Sequence, residues 1–139
     1  NLSAPVGGFS IENTERPQLF IGSGVGMTPL VSMFKKAASL NVPTQMIQAV
    51  VTEDERPFAQ KLDSITANHE QAQLHLHVKD KEGYLEAKEL EQYLSEQPEI
   101  YICGGTKFLH SIINSLKELN YDMNHVHFET FIPRLSVQV

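Results

Sequence analysis

The strongest constraint on this chain is a rhythm. Short apolar runs, each the length of one strand, give way in turn to stretches with helical spacing. Gln18-Leu19-Phe20-Ile21 closes on Gly22. Gln45 to Val51 closes on Thr52-Glu53-Asp54-Glu55. Leu74-His75-Leu76-His77-Val78 alternates, Ile100-Tyr101-Ile102-Cys103 stops at Gly104-Gly105, and Val126 to Glu129 makes a fifth run. Strands separated by helical periods indicate βαβ units, and crossovers between parallel strands are right-handed. The chain is therefore expected to be α/β, with an open five-stranded parallel sheet and helices on both faces.

The helical stretches carry their own punctuation. Thr28-Pro29 reads as an N-cap followed by proline in the first turn. The helix it opens carries Leu30, Val31, Met33, Phe34, Ala37, Ala38 and Leu40, and ends at Asn41 or Pro43. Pro57 to Ala67 is a second helix, Lys79 to Gly83 a loop, and Ala87 to Leu94 a short amphipathic helix with Leu90 and Leu94 inward. Thr106 is placed to cap a last helix bearing Phe108, Leu109, Ile112, Ile113, Leu116 and Leu119 at a 3.6-residue period. Asn120 suits a left-handed stop.

Composition narrows the function classes. The 139 residues suffice for one domain, with 41% apolar and 20% charged residues. No segment approaches the roughly 18 unbroken apolar residues of a membrane span, and no leader reads as a secretory signal. Seventeen carboxylates against 11 cations leave a net charge of −6, which argues against nucleic acid as the main partner. The single cysteine, Cys103, excludes an internal disulfide or a Cys-ligated cluster within these residues, and cytoplasm is the expected compartment. The chain begins at Asn1, not Met, which points to a removed start or a piece of a longer polypeptide.

In open α/β sheets, ligands sit beyond the carboxyl ends of the strands, near the switch in strand order. That directs attention to residues 22–28, 52–56, 103–106 and 129–133. Gly22, Gly24 and Gly26 expose backbone amides where a helix begins, which suits a phosphate. The pattern departs from the G-x-G-x-x-G fingerprint, since Met27 stands in place of the third glycine, and no Gly-Lys-Ser/Thr follows as a P-loop requires. A turn that needs only flexibility is the alternative. Cys103 has two readings as well: a thiol activated by a helix N-terminus, or a buried residue packing as a small hydrophobe, which is the commoner case.

Together these motifs are more specific than each alone. Gly24-Val25-Gly26-Met27-Thr28-Pro29-Leu30 resembles the Gly-Val-Gly-x-Thr-Pro segment of the ferredoxin–NADP reductase superfamily. Tyr101-Ile102-Cys103-Gly104-Gly105-Thr106-Lys107-Phe108 is similar to its Tyr-x-Cys-Gly-Pro-x-x-Phe segment. Val126-His127-Phe128-Glu129-Thr130-Phe131-Ile132-Pro133 resembles the terminal His-Tyr-Glu-x-Phe-Gly-Pro of the flavohaemoglobins in that superfamily. Ser3-Ala4-Pro5-Val6-Gly7-Gly8-Phe9 is similar to the family's exit from its flavin-binding barrel. Gly105 stands where the family has proline, and Ile132 where it has glycine.

The resemblance implies an NAD(P)-binding domain over residues 13–139, preceded at 1–12 by the exit segment of a flavin-binding barrel. It implies that Gly24, Val25, Gly26, Met27, Thr28 and Pro29 cradle the pyrophosphate and line the nicotinamide pocket. Cys103, Gly104 and Gly105 then flank the nicotinamide. Phe131, within Thr130-Phe131-Ile132-Pro133, lies against the flavin, and Glu129 is the carboxylate that tunes its redox behaviour. The implied chemistry is hydride transfer from NAD(P)H to FAD, with the cofactors carrying the reaction and the protein supplying distance and field. In flavohaemoglobins the electrons go on to a haem that converts nitric oxide and oxygen to nitrate. The expected partners are thus a flavin barrel, and a globin domain, of the same polypeptide. On this reading the chain is inactive alone, and its tail from Phe131 onward is mobile or packed elsewhere.

The second strand ends at Thr52-Glu53-Asp54-Glu55, with Thr52 and Glu53 as the expected cofactor contacts; three acids at that edge favour NADH, because a 2′-phosphate wants cations there, and Arg56 is the opposing feature. Alternatives are the reductase component of an oxygenase, a flavodoxin or ferredoxin reductase, or a non-catalytic nucleotide-binding module. A metal enzyme built on His75/His77 and His125/His127 lacks a completing ligand, and polar residues on exposed strand faces explain those pairs more plainly. Ser23 and Ser111 lack a nucleophile elbow, and His110 reads as surface.

Overall fold

The computed structural model describes residues 15–130. Five strands, β1 (Gln18–Ser23), β2 (Thr44–Val50), β3 (Ala72–Val78), β4 (Glu99–Gly104) and β5 (Val126–Thr130), form one parallel sheet in the order β3-β2-β1-β4-β5. The chain steps outward from β1 to β3, then returns past β1 to lay down β4 and β5. The switch in direction therefore lies between β1 and β4, where Phe20 stands opposite Tyr101 and Gly22 opposite Cys103.

Alternating side chains explain why both faces are covered. Phe20, Met46, Tyr101 and Cys103 point to one face and pack under α1 (Thr28–Ser39) and α2 (Ala59–Asn68), against Leu30, Phe34, Ala37 and Leu62. Leu19, Ile21, Ile47, Ile100 and Ile102 point to the other. They meet Leu85, then Leu90 of α4 (Ala87–Leu90), and Leu109, Ile112 and Leu116 of α5 (Thr106–Glu118). Phe20 stacks on Tyr101 at 5.2 Å between ring centroids and meets the edge of Phe34 at 6.1 Å. Each fully buried side chain of this size contributes about 1.5–3 kcal/mol. The expected fold class is the observed one.

Several local expectations are corrected. Thr28 is not the cap of α1: Met27 holds that position, at the end of a 3-10 turn over Gly24–Met27, so Thr28 and Pro29 form the first turn. Gly105, not Thr106, is the N-cap of α5. The segment after β3 is not all loop. Lys79–Glu82 makes one helical turn, α3, whose Glu82 carboxylate accepts from the Val78 N–H at 3.0 Å and which Gly83 closes at φ 78°. Asn41 and Asn120 end α1 and α5 in the left-handed region, at φ 61° and 59°. The expected exit segment at 1–12 and the tail with Phe131, Ile132 and Pro133 lie outside the described residues.

Nor are the histidine pairs exposed. His77 is buried, its Nε2 2.9 Å from the Gly83 carbonyl. His75 is half-buried, 2.8 Å from Gln45 Oε1 and packed on Tyr93. The cause is the chain after β3, which folds back over that face. Among the described residues no three His, Cys, Asp or Glu side chains are grouped to hold a metal, and no helix is long and apolar enough to cross a membrane. His110 is exposed on α5.

Candidate functional site at the carboxyl rim of the sheet

Two helices start at the switch between β1 and β4. The 3-10 turn Gly24–Met27 leads β1 into α1, and Gly105 leads β4 into α5. Neither N-cap residue, Met27 or Gly105, has a side-chain oxygen to offer, and neither first turn contains an acid. The amides and positive dipole ends of both helices therefore face the crevice without a carboxylate of their own, an arrangement that suits an anion.

Glycine makes the close approach possible. A Cβ on Gly22 would stand 2.7 Å from Met27 Cγ and 2.8 Å from Leu30 Cδ1. One on Gly104 would stand 2.7 Å from the Phe108 ring and 2.8 Å from Ser23 Oγ. Gly24 holds φ +58° with open space around it, so there the need is backbone freedom.

The crevice opens into a cavity of about 950 Å³ that runs from Ser23 and Gly24 past Val50 and Glu55 to Tyr84, with Lys107, Phe108 and Ser111 on the α5 side. Arg56, Lys79 and Lys107 line it against the single acid Glu55, so it is locally cationic in a chain of net charge −6. Arg56 Nη2 pairs with Asp63 at 3.0 Å. Lys79 Nζ lies 4.5 Å above the Tyr84 ring, and its hydrogen bond and charge lower the Tyr84 phenol's pKa. Tyr84 is 68% exposed, an aromatic face open to the cavity.

The sequence-derived residues divide. Gly24 lines the cavity, with Val25 and Gly26 on the same turn. Met27 is fully buried, so only its backbone can serve a ligand. Cys103 and Gly104 end β4 directly opposite Gly22, Glu129 and Thr130. The Cys103 thiol is 2% exposed. Burial, then the Glu129 charge, pushes its pKa up to about 12, partly offset by a hydrogen bond from the Gly104 backbone. The structure thus matches the packing reading of Cys103 and not the activated thiol. Thr52 and Glu53 do not line the cavity: Thr52 turns the chain through a bond from the Glu55 N–H, and Glu53 pairs with Lys81 at 2.8 Å.

Lys79, Tyr84 and Lys107 escaped the sequence reading. The available signal was topological: β3 and β4 must end at the same rim as β1 and β2, so the residues after Val78 and those after Gly104 belong beside those after Gly22.

A family model described as oxidoreductase NAD-binding domain matches residues 20–113. The chain is 28% identical over 144 residues to the flavohemoprotein of Oceanobacillus iheyensis, covering 95% of this chain and 36% of that protein. It is 26% identical to flavohemoprotein B of Dictyostelium discoideum, covering 98% and 36%. The chain thus spans about a third of these relatives. Among solved structures it is similar to the flavohem-like FAD/NAD binding domain of nitric oxide dioxygenase from Vibrio cholerae, with TM-score 0.74, 25% identity, and 90% and 54% of the two chains covered. A flavohemoglobin from Malassezia yamatoensis with bound FAD and heme shares the fold at TM-score 0.76 and 19% identity, over 88% of this chain and 33% of that one.

Proposed function

The chain belongs to the oxidoreductase NAD-binding domain family, and from that premise we propose that it seats NAD(P)H at the carboxyl rim and presents it to a flavin held by another domain of the same polypeptide. The observation that carries the reading is the convergence of α1 and α5, both without an acidic first turn, on a glycine-lined crevice continuous with the cavity. The bound nucleotide supplies a hydride from its nicotinamide ring. The chain's part is to bind and orient. The amides after Gly24 and those opening α5 receive the pyrophosphate, and Lys107 adds a charge beside it. Tyr84 offers a face on which the adenine stacks. Gly104 lets the nicotinamide lie close to β4, over the buried Cys103, and Glu129 brings a carboxylate to that end of the rim.

We propose NADH as the donor. Glu55 is the cavity's acid and suits ribose hydroxyls, while Arg56 is drawn to Asp63 and Lys79 to the Tyr84 ring. In the full polypeptide we propose a flavohaemoglobin-type enzyme, with FAD and haem in further domains, converting nitric oxide and oxygen to nitrate.

Titration of the 139-residue chain with NADH, NADPH and ATP, read by thermal shift, tests the site, since a ligand of the folded state raises its stability. NADH should raise Tm most. No shift with either nicotinamide nucleotide overturns the binding reading. NADPH binding at least as tightly as NADH overturns the choice of donor, and Glu55→Gln should move the ratio toward NADPH.

A further inference from the structure

At the opposite end of the sheet from the crevice, Glu99 begins β4 with only 3% of its surface exposed. A buried carboxylate is costly unless it is fully bonded, and this one gathers three partners from two distant parts of the chain. His127 Nε2 lies 2.6 Å from Oε2, His125 Nδ1 3.0 Å from Oε1, and Arg16 Nε 3.4 Å from Oε1. The Glu99 N–H also donates to the Pro17 carbonyl at 2.8 Å. Asp122 Oδ2 stands 3.7 Å from the far nitrogen of His125, and the His127 ring stacks on Tyr101 at 4.9 Å. A carboxylate only accepts, so with Glu99 ionised the geometry assigns the facing proton to Nδ1 of His125 and to Nε2 of His127.

Strand β5 is an edge strand, paired on one side to β4. Tyr101 stands opposite His127, and Cys103 opposite Glu129. His127 and Glu129 share a face, about 7 Å apart along the strand.

We propose that Glu99 is a positioning residue: from the amino end of the sheet it locks β5 in register, sets where Glu129 stands at the rim, and ties that strand to the chain entering β1 at Arg16. The inference rests on the proposed function only in giving Glu129 a task there. Glu99 touches neither the cavity nor Glu129. It acts through β5.

The test is hydrogen exchange and side-chain NMR on the 139-residue chain. Wild type should show the two tautomers named above. Glu99→Gln keeps the shape but replaces one acceptor with a donor. One imidazole should then change tautomer, and the β5 amides paired with β4 should exchange at least about tenfold faster, as loss of a charge-assisted bond implies. The Glu129 carboxyl carbon should shift, while the β1–β2–β3 amides and NADH affinity remain as in wild type. His127→Gln, which leaves Arg16 paired, should give the same signs at β5 and Glu129 and serves if Glu99→Gln does not fold. Unchanged β5 exchange and an unmoved Glu129 signal overturn the proposal, as does loosening spread evenly over all strands. Failure of wild type to bind NADH overturns the nucleotide reading alone.

Discussion

Gly22 and Gly105 look interchangeable as letters, yet their surroundings separate them. A methyl group on Gly22 meets Met27 and Leu30, both fully buried and with no room to retreat. Gly22→Ala should cost about 1–3 kcal/mol through overpacking, seen as a lower denaturant midpoint. Gly105 has open space and φ −71°, the angle proline imposes, and the resembled family has proline there. Gly105→Pro should stabilise by about 0.4–1 kcal/mol, and a fall in the midpoint would contradict this. Cys103 gives a pH signature. Its thiol pKa is raised in the fold, so the unfolded chain releases the proton first as pH rises. The stability it contributes is fully present below about pH 9 and is lost between about pH 9 and 12. Subtracting the stability–pH curve of Cys103→Ala from that of wild type should show this decline, and parallel curves would refute it. Such burial was legible from one cysteine at the end of an apolar run. Glu99 was not, because its partners lie far along the chain, at Arg16, His125 and His127.

Among elements, legibility tracked how completely apolar pattern determines burial. Strands β1 and β4 read clearly because both their faces are covered, so alternation and continuity agree. The ends of elements read poorly. β3 begins at Ala72, two residues before the apolar alternation, because backbone pairing with Thr44 continues past the point where side chains report it. α3 is a single turn held by Glu82 and Gly83, too short for any period to reveal. The caps were misread at α1 and α5 for a related reason. Thr28 and Thr106 are good capping types, but each sits one residue inside its helix, and the places before them go to Met27 and Gly105. Those two helix starts carry a shared prediction. If their amides hold a pyrophosphate, Lys107→Glu, which reverses a charge in the first turn of α5, should weaken ADP-ribose binding by roughly tenfold or more. Calorimetry at low salt would show it, and unchanged affinity would remove α5 from the site.

For the molecule as a whole, the strand order decides where the candidate site lies. Its switch creates one rim where β1 and β4 diverge, and every feature suited to a dinucleotide gathers there: two helix starts, the glycines, the cations and the Tyr84 face. Among the described residues, the cavity runs from β1 toward β2 and the chain after β3, which is where the proposed reading puts the adenosine and the pyrophosphate. At the other end of the rim, beside Glu129 and Gly104, a nicotinamide would have the β4 and β5 ends on one side and needs an acceptor on the other. Cys103 is buried and is the one thiol of these 139 residues, so it has no partner here with which to cycle through a disulfide. Binding and turnover should therefore separate. The 139-residue chain should be stabilised by NADH, yet with NADH and a one-electron acceptor such as ferricyanide it should show no oxidation of NADH above the uncatalysed rate, and free FAD should add little if, as proposed, another domain holds the flavin. Adding the flavin-binding domain that we propose accompanies it should produce turnover, with a rate that saturates in NADH. Substantial turnover by the chain alone, without added flavoprotein, would mean that it carries its own electron acceptor and that the division of labour between two domains is wrong.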